Sequence, residues 1–362
     1  MERSITEDEK KLADDMLARA RAAMKSIEDY DQESVDRLCR AVSWAAANEE
    51  TTIRLTNMSA DESNMGTRVP TKRFHILGIL RDALRQKSMG VIEEIPEKGI
   101  TKYAKPAGVI ASLIPVTNPV NTPIGLAIFA IKCKDAVIFS PHPRSKKTAY
   151  ETVRIMRAAL KKQDVPEDIL QCIETPSIPL TKYLMSICDL TNATGGSAMV
   201  KSAYSSGKPA YGVGPGNATM VIDETANIEE AAINSRISKT NNNGAGCSSD
   251  GNLIVEASIY DQFLDQLQKE GGYLASEEEK KLIQAVWWDS GGQRIFETVA
   301  QPASVVAEMA GIELPPDKTF FIVKEDKIGK EHLFSSEKLG TMLAIFKYSG
   351  FEQALDMVKG LF

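Results

Sequence analysis

Apolar residues return at helical spacing near the start of the chain and come in short continuous runs further on. Leu12, Met16, Ala20, Ala23 and Ile27 fall on one helix face, and Thr6 with Glu9 makes a capping box ahead of them. A second helix follows Asp31, with Val35, Leu38, Cys39 and Val42 on its apolar face. Residues 50–90 are mixed and mostly helical in pattern. Residues 92–104 alternate, and Lys105-Pro106 breaks them. Residues 108–114 are almost all apolar, as in a strand buried on both faces. Pro115-Val-Thr-Asn-Pro119 turns that run into an apolar helix reaching residue 132. A second buried strand covers 135–139. Ser140-Pro-His-Pro-Arg144 turns it into a helix with Thr148, Val153, Ile155 and Met156 inside. A third strand at 169–173 precedes a short helix at 179–186. A fourth, at 189–193, runs into Thr194-Gly-Gly-Ser197, which opens a helix to Tyr204.

Strand, short loop and helix, four times over, predict an α/β fold with a parallel sheet and right-handed crossovers. Ligands of such sheets bind beyond the carboxyl ends of the strands. Gly195-Gly196 lies at such an end. Taken alone it suits either a phosphate at a helix N-terminus or a mere tight turn. The Gly-x-Gly-x-x-Gly fingerprint is missing, so a standard Rossmann dinucleotide site is not expected. The glycine-rich hinge Gly212-Val-Gly-Pro-Gly216 divides the chain into a cofactor-binding domain, 1–213, and a second α/β domain, 214–362. In the latter, Asn227 and Glu230 cap a helix over 228–240. A strand at 252–256 and a helix at 260–269 follow, then a polar loop and the segment 277–287. Strands at 320–323 and 342–346 and a helix at 352–361 end the pattern.

Composition narrows the class. The chain has 362 residues, enough for two domains, with 43% apolar and 25% charged residues. A net charge of −6 gives no reason to expect nucleic acid or an anionic membrane as partner. No apolar run reaches membrane-spanning length, and the charged start (Glu7 to Lys11) is unlike a secretory signal. Five cysteines without regular spacing point to a reducing, cytoplasmic setting. Cys39, Cys133, Cys172 and Cys188 lie in apolar-periodic segments and are expected in the core. No Cys/His cluster has metal-ligand spacing, so no metal is expected.

The fifth cysteine differs. Cys247 sits in Asn241-Asn-Asn-Gly-Ala-Gly-Cys-Ser-Ser-Asp250, between the helix at 228–240 and the strand at 252–256. Gly244, Ala245 and Gly246 let a substrate approach the sulfur and leave the Cys247 N–H able to face a developing oxyanion. That suits a nucleophile; a small residue in a buried loop is the plainer reading.

The motifs Ile114-Pro-Val-Thr-Asn-Pro119, Ile138-Phe-Ser-Pro-His-Pro-Arg144, Ala193-Thr-Gly-Gly196, Ala203-Tyr-Ser-Ser-Gly-Lys-Pro-Ala210, Gly212-Val-Gly-Pro-Gly-Asn217 and Ser238-Lys-Thr followed by Cys247 occur in this order. Together they resemble the aldehyde dehydrogenase superfamily, in its coenzyme A-acylating branch, over nearly the whole chain. Cys247-Ser-Ser249 and Glu93-Glu-Ile-Pro-Glu-Lys-Gly99 most resemble the acylating sulfoacetaldehyde dehydrogenases; neighbouring subfamilies act on acetaldehyde or succinate semialdehyde. The resemblance implies a Rossmann-like cofactor domain and a catalytic domain. It implies NAD or NADP as cofactor, coenzyme A as co-substrate and a homo-oligomer in the full-length protein. Cys247 becomes the nucleophile, and Asn118 the side-chain amide that shares the oxyanion with the Cys247 N–H. From the residues alone, Asn118 reads as a helix cap before Pro119. Thr117, Ser140, Pro141, Gly195 and Gly196 match dinucleotide contacts, and Glu337, in Ser336-Glu-Lys-Leu-Gly340, matches a contact to the nicotinamide-side ribose. Arg144 is a candidate for a phosphate, and His142 is given no catalytic role. Hydrolytic relatives carry a glutamate where this chain has Gly212, and 212–217 holds no acid, which favours a thiol over water as acyl acceptor. Family members also run on past Leu361-Phe362. Against a complete two-domain plan, roughly a hundred residues are expected to be missing, together with part of the site and the oligomer contacts. The rival expectations are a non-catalytic remnant of the fold and an acyl-phosphate reductase of the same superfamily.

Overall fold

The computed structural model describes residues 3–69 and 72–362. The chain divides into two compact units, Met1–Asn64 with Arg68–Gly214 and Met65–Thr67 with Pro215–Phe362. Among the described residues no helix is long and apolar enough to cross a membrane.

The first unit begins with α1 (Glu7–Ser26), α2 (Gln32–Ala47), α3 (Glu49–Ser63) and α4 (Lys72–Leu84). Both halves of the Thr6–Glu9 capping box are formed, and the Asp31 side chain caps α2. The buried stripe of α1 is Ala13, Met16, Ala20 and Ala23, continued by Ile27. Leu12 is 43% exposed, so its expected place on this face is corrected. The spacing 13, 16, 20, 23, 27 keeps one face, and Leu12 lies about 60° from its centre, just beyond its edge. Val35, Leu38, Cys39 and Val42 of α2 are buried as expected. The alternating stretch after Gly90 is an antiparallel hairpin of β1 (Val91–Ile95) and β2 (Ile100–Tyr103), closed through Gly99 at φ 61.

The sheet elements follow: β3 (Val109–Ile114), α5 (Asn121–Cys133), β4 (Ala136–Pro141), α6 (Lys146–Lys161), β5 (Leu170–Cys172), α7 (Ile178–Ile187), β6 (Leu190–Thr194), α8 (Ser197–Tyr204) and β7 (Ala210–Val213). The strands are all parallel, in the order β5-β4-β3-β6-β7. Alternate residues feed two cores. Val137 and Phe139 of β4 join α2, α5 and α6 on one face, and Ala136 and Ile138 join α1 and α7 on the other. This two-sided burial is why the strands read as continuous apolar runs. β7 is half exposed at the sheet edge and lacks such a run, so the fifth strand was not marked as one. The chain winds outward from β3 to β5, then returns to place β6 on the other side of β3. The order therefore reverses between β3 and β6, which opens a crevice at their carboxyl ends.

The second unit repeats the architecture with β8 (Thr219–Ile222), α9 (Ile228–Thr240), β9 (Asn252–Glu256), α10 (Tyr260–Lys269), β10 (Gly272–Leu274), α11 (Glu277–Trp287), α12 (Ala303–Ala310), β11 (Phe320–Glu325), β12 (Met342–Tyr348) and α13 (Phe351–Leu361). Its parallel sheet runs β10-β11-β12-β9-β8. Met342, Ala344 and Phe346 of the central β12 face one core, Leu343 and Ile345 the other. α12 and the three-residue β10 were not anticipated.

The corrected α1 stripe is open to test by chemical unfolding. Met16→Ala should cost about 2–4 kcal/mol, whereas Leu12→Ala should stay within about 0.5 kcal/mol. Equal shifts in the urea midpoint would return Leu12 to the core.

Candidate active site

In the first unit, the loops after β3, β4 and β6 lie at neighbouring strand ends. Thr117 and Asn118 follow β3, Ser140 and Pro141 close β4, and Gly195 and Gly196 follow β6. Not all present the groups that the sequence suggested. The Ser140 hydroxyl is buried 2.7 Å from the Thr181 hydroxyl, so its side chain is turned into the protein. The Gly195 N–H donates to the Val213 carbonyl (3.1 Å) in the sheet. Only Gly196 fronts open space, with nothing within 4 Å of where a Cβ would stand, at the N-cap of α8. Asn118 Oδ1 accepts from the Asn121 N–H at 3.3 Å, so the amide does cap the start of α5 while its NH2 has no partner among the described residues. His142 is half-buried, its Nδ1 accepts from the Arg144 N–H, and burial, then Arg144, lowers its pKa.

In the second unit the Cys247 loop is built by unusual backbone. Asn242, Asn243 and Gly244 hold φ of 49°, 53° and 66° in succession, a left-handed run that asparagine and glycine tolerate best. The segment Met65–Thr67 pins it. Asn242 Oδ1 accepts from the Thr67 N–H (2.8 Å), and Asn243 Nδ2 donates to the Gly66 and Ala300 carbonyls. The far side is tied to α9 and β9. Ser249 Oγ donates to the Ser238 carbonyl (2.9 Å), the Asp250 N–H to Ser238 Oγ (3.0 Å), and Lys239 Nζ to the Asp250 carbonyl (2.6 Å).

Cys247 lies at the crest. Of the five cysteines it alone is exposed, and its N–H has no partner among the described residues. Burial pushes the Cys39 and Cys188 thiols up to about 12 and raises Cys133 and Cys172 as well. Cys133 and Cys172 are only partly buried, a correction to their expected place in the core. Gly216 packs directly on the Cys247 carbonyl, too closely for any Cβ. Its N–H donates to Glu337 Oε1 at 2.8 Å. The Cys247 loop, the hinge glycine and Glu337 are thus one assembly. Next to it, Asn217 Nδ2 donates to the Ser335 and Leu361 carbonyls, and its Oδ1 accepts from Asn252 Nδ2. Asn252 Oδ1 in turn accepts from the buried Lys338 ammonium.

The charges beneath are poorly solvated. Burial raises the Glu337 pKa, opposed by the Gly216 N–H, Arg294 and Lys239. Burial, then Arg294, lowers Lys239 to about 7, opposed by Asp250 and Glu337. Burial holds Lys338 well below its ordinary value, with Lys239 and Arg294 adding to the effect. Residues 212–217 carry no acid, yet a carboxylate reaches them from Glu337. A Cβ at Gly212 would stand 2.6 Å from Val200 Cγ1 and 2.8 Å from Tyr204 Cε2, so a side chain there would require those two side chains to move. Sequence reasoning gave no role to Lys239 or Asn217, although both lie in motifs it singled out. It gave none to Lys338, which lies beside Glu337 in Ser336-Glu-Lys-Leu-Gly340, nor to Asn252 or Arg294, which carried no signal.

The model of the aldehyde dehydrogenase family matches residues 3–358. A sulfoacetaldehyde dehydrogenase from Acholeplasma sp is 39% identical over 351 residues, 95% of this chain and 72% of that protein. The crystal structure of an acetylating aldehyde dehydrogenase from Geobacillus thermoglucosidasius superposes with a TM-score of 0.92 at 35% identity, over 98% of this chain and 79% of that one. A propionaldehyde dehydrogenase from Rhodopseudomonas palustris with bound propionyl-CoA superposes with a TM-score of 0.83 at 26% identity, covering 96% and 77%. The resemblance read from the motifs and the expected fold class therefore hold.

Two expectations follow from this geometry. Gly216→Ala drives a methyl into the Cys247 carbonyl and should cost about 1–3 kcal/mol, while Gly214→Ala, with open space around it, should stay within about 0.5 kcal/mol. Urea midpoints separate the two, and a silent Gly216→Ala would refute the close packing. Lys239 binds its proton up to about 7 in the fold and up to its ordinary 10.5 when unfolded. Between these values the unfolded chain holds more protons, so stability rises with pH across the window, and the penalty is complete below it. Lys239→Met should flatten that rise between pH 7 and 10; identical slopes would show that the ammonium is not desolvated.

Proposed function

The chain belongs to the aldehyde dehydrogenase family, and from that premise we propose that it oxidises a short aldehyde to its coenzyme A thioester with NAD or NADP as hydride acceptor. The observation that carries the reading is the exposed Cys247 thiol beside its own N–H, which has no partner among the described residues, on a loop anchored on both sides. The Cys247 thiolate adds to the aldehyde carbon. The carbonyl oxygen becomes an oxyanion, for which the Cys247 N–H is one donor and the Asn118 side-chain amide is proposed as the second. Loss of hydride leaves a thioester on Cys247, and attack by a second thiol frees the cysteine.

When bound, the nicotinamide takes the hydride and coenzyme A takes the acyl group. The crevice between β3 and β6 fits a dinucleotide, since Gly196 leaves its mouth open at the start of α8. Thr117, Pro141, Gly195, Gly196 and the backbone of Ser140 are the proposed contacts there. Glu337 is the proposed contact to the nicotinamide-side ribose. Gly212 supports thiol over water as acceptor, because it leaves the position held by the base of hydrolytic relatives without a carboxylate. Sulfoacetaldehyde is the favoured substrate, on the likeness to the Acholeplasma enzyme.

NAD(P)H formation with sulfoacetaldehyde, acetaldehyde and succinate semialdehyde, each with and without coenzyme A, tests this. Turnover should require coenzyme A and be fastest with sulfoacetaldehyde. Asn118→Ala should lower kcat by about 10²–10³, and Cys247→Ala should abolish turnover while NAD(P) still binds. Turnover by Cys247→Ala sinks the nucleophile assignment, and coenzyme A-independent turnover sinks the acylating one.

A further inference from the structure

One cation beneath the Cys247 loop has no counterpart. In the second unit, among the described residues, the only buried side-chain polar atoms without a hydrogen-bond partner are Nη1 and Nη2 of Arg294. An unpaired buried charge is more costly than any neutral orphan and is rarely kept without a use. The guanidinium lies 5.0 Å from the Trp287 ring centroid and 5.9 Å from that of Trp288. Two indoles thus fix its plane and shed water from it. Trp287 is itself held by its Nε1–H on the Lys338 carbonyl at 3.2 Å.

This arginine is one side chain away from the nucleophile loop. Gly244 packs on the Gly340 carbonyl, where a Cβ would stand 2.5 Å from the oxygen. Gly340 packs on the Trp287 ring, where a Cβ would stand 2.7 Å from Cζ2. Arg294 lies across that same indole. The carboxylate whose field reaches it is Glu337, already engaged by the Gly216 N–H. Lys239 and Lys338, buried close by, repel it. Arg294 therefore has no anion of its own within hydrogen-bond reach among the described residues, and a fork of two N–H groups is shaped to take one.

We propose that Arg294 binds the acidic group, a sulfonate or carboxylate, at the far end of the aldehyde. The proposal rests on reading Cys247 as the aldehyde nucleophile, and it makes Arg294 the residue that selects acidic aldehydes over neutral ones. A phosphate of the dinucleotide or of coenzyme A offers the same chemistry, so the test separates the sources.

Arg294→Met keeps the stacking and removes the charge. The ratio of kcat/KM for sulfoacetaldehyde to that for acetaldehyde should fall by about 100-fold or more, with Arg294→Lys in between and the KM values for NAD(P) and coenzyme A unmoved. An unchanged aldehyde ratio overturns the proposal; an unchanged ratio with a raised KM for either cosubstrate assigns the arginine to a phosphate instead. A second readout needs no turnover, so it stands even if the proposed activity fails. Cys247 alkylation by iodoacetate, an anion, and by iodoacetamide, its neutral counterpart, is followed by peptide mapping. The iodoacetate-to-iodoacetamide rate ratio should drop about tenfold in Arg294→Met, and equal ratios overturn the proposal. If the variant does not fold, the wild-type chain decides. Ethanesulfonate should slow iodoacetamide at Cys247 where ethanol does not, and a lack of protection overturns it.

Discussion

The arrangement around Cys247 turns on one close contact, the backbone of Gly216 against the carbonyl of Cys247. A carbonyl approached this closely cannot rotate, so the peptide plane joining Cys247 to Ser248 is fixed. Everything nearby enforces the contact. Asn217, the next residue, spends all its amide on Ser335, Leu361 and Asn252, and Glu337 holds the Gly216 N–H. The contact adds to the anchors on the other side of the loop, where three consecutive left-handed residues are held through the Asn242 and Asn243 side chains. On the proposed reading of Cys247, a backbone held this firmly leaves little reorganisation for the moment at which an oxyanion forms.

That constraint explains the run of glycines better than flexibility does. Gly216, Gly244 and Gly340 each stand where a Cβ would overlap a carbonyl or an indole. They are contact glycines, and they let three separate segments of the chain come within backbone distance. Gly214, by contrast, has nothing around it. A glycine-rich stretch in a sequence therefore mixes two kinds of position, and only packing tells them apart.

The legible part of the chain was the part governed by periodicity. α9 and β9, which carry the Cys247 loop, are legible with their bounds intact, because Asn227 announces the helix and Leu253-Ile-Val255 is an apolar run between polar ends. The carboxyl-end loops were equally plain, since turn residues follow buried strands. β7 and β10 escaped because an edge strand and a three-residue strand hold too little apolar surface to make a pattern. Leu12 was placed wrongly because the reading took the bulkiest residue near the stripe, where the packing favoured Ala13. The Asn217–Asn252–Lys338 network was invisible for a different reason. Its members are 35 and 86 residues apart along the chain, and polar residues buried in pairs look like surface residues until their partners are known.

The same distinction bears on the acyl acceptor. A sequence without an acid in 212–217 suggests that water has no base, yet Glu337 brings a carboxylate to Gly216 from the far side of the loop. Presence alone does not make it a base. Its oxygen is already committed to an N–H, which stabilises the ionised form, and Arg294 and Lys239 do the same, against a burial that favours the neutral acid. Burial outweighs those donors and raises its pKa, while the Gly216 N–H occupies its Oε1, so the carboxylate serves the loop as a hydrogen-bond acceptor. On the proposed reading of Cys247, a hinge without an acid of its own favours a thiol as acyl acceptor, since a thiol needs less help than water near neutral pH.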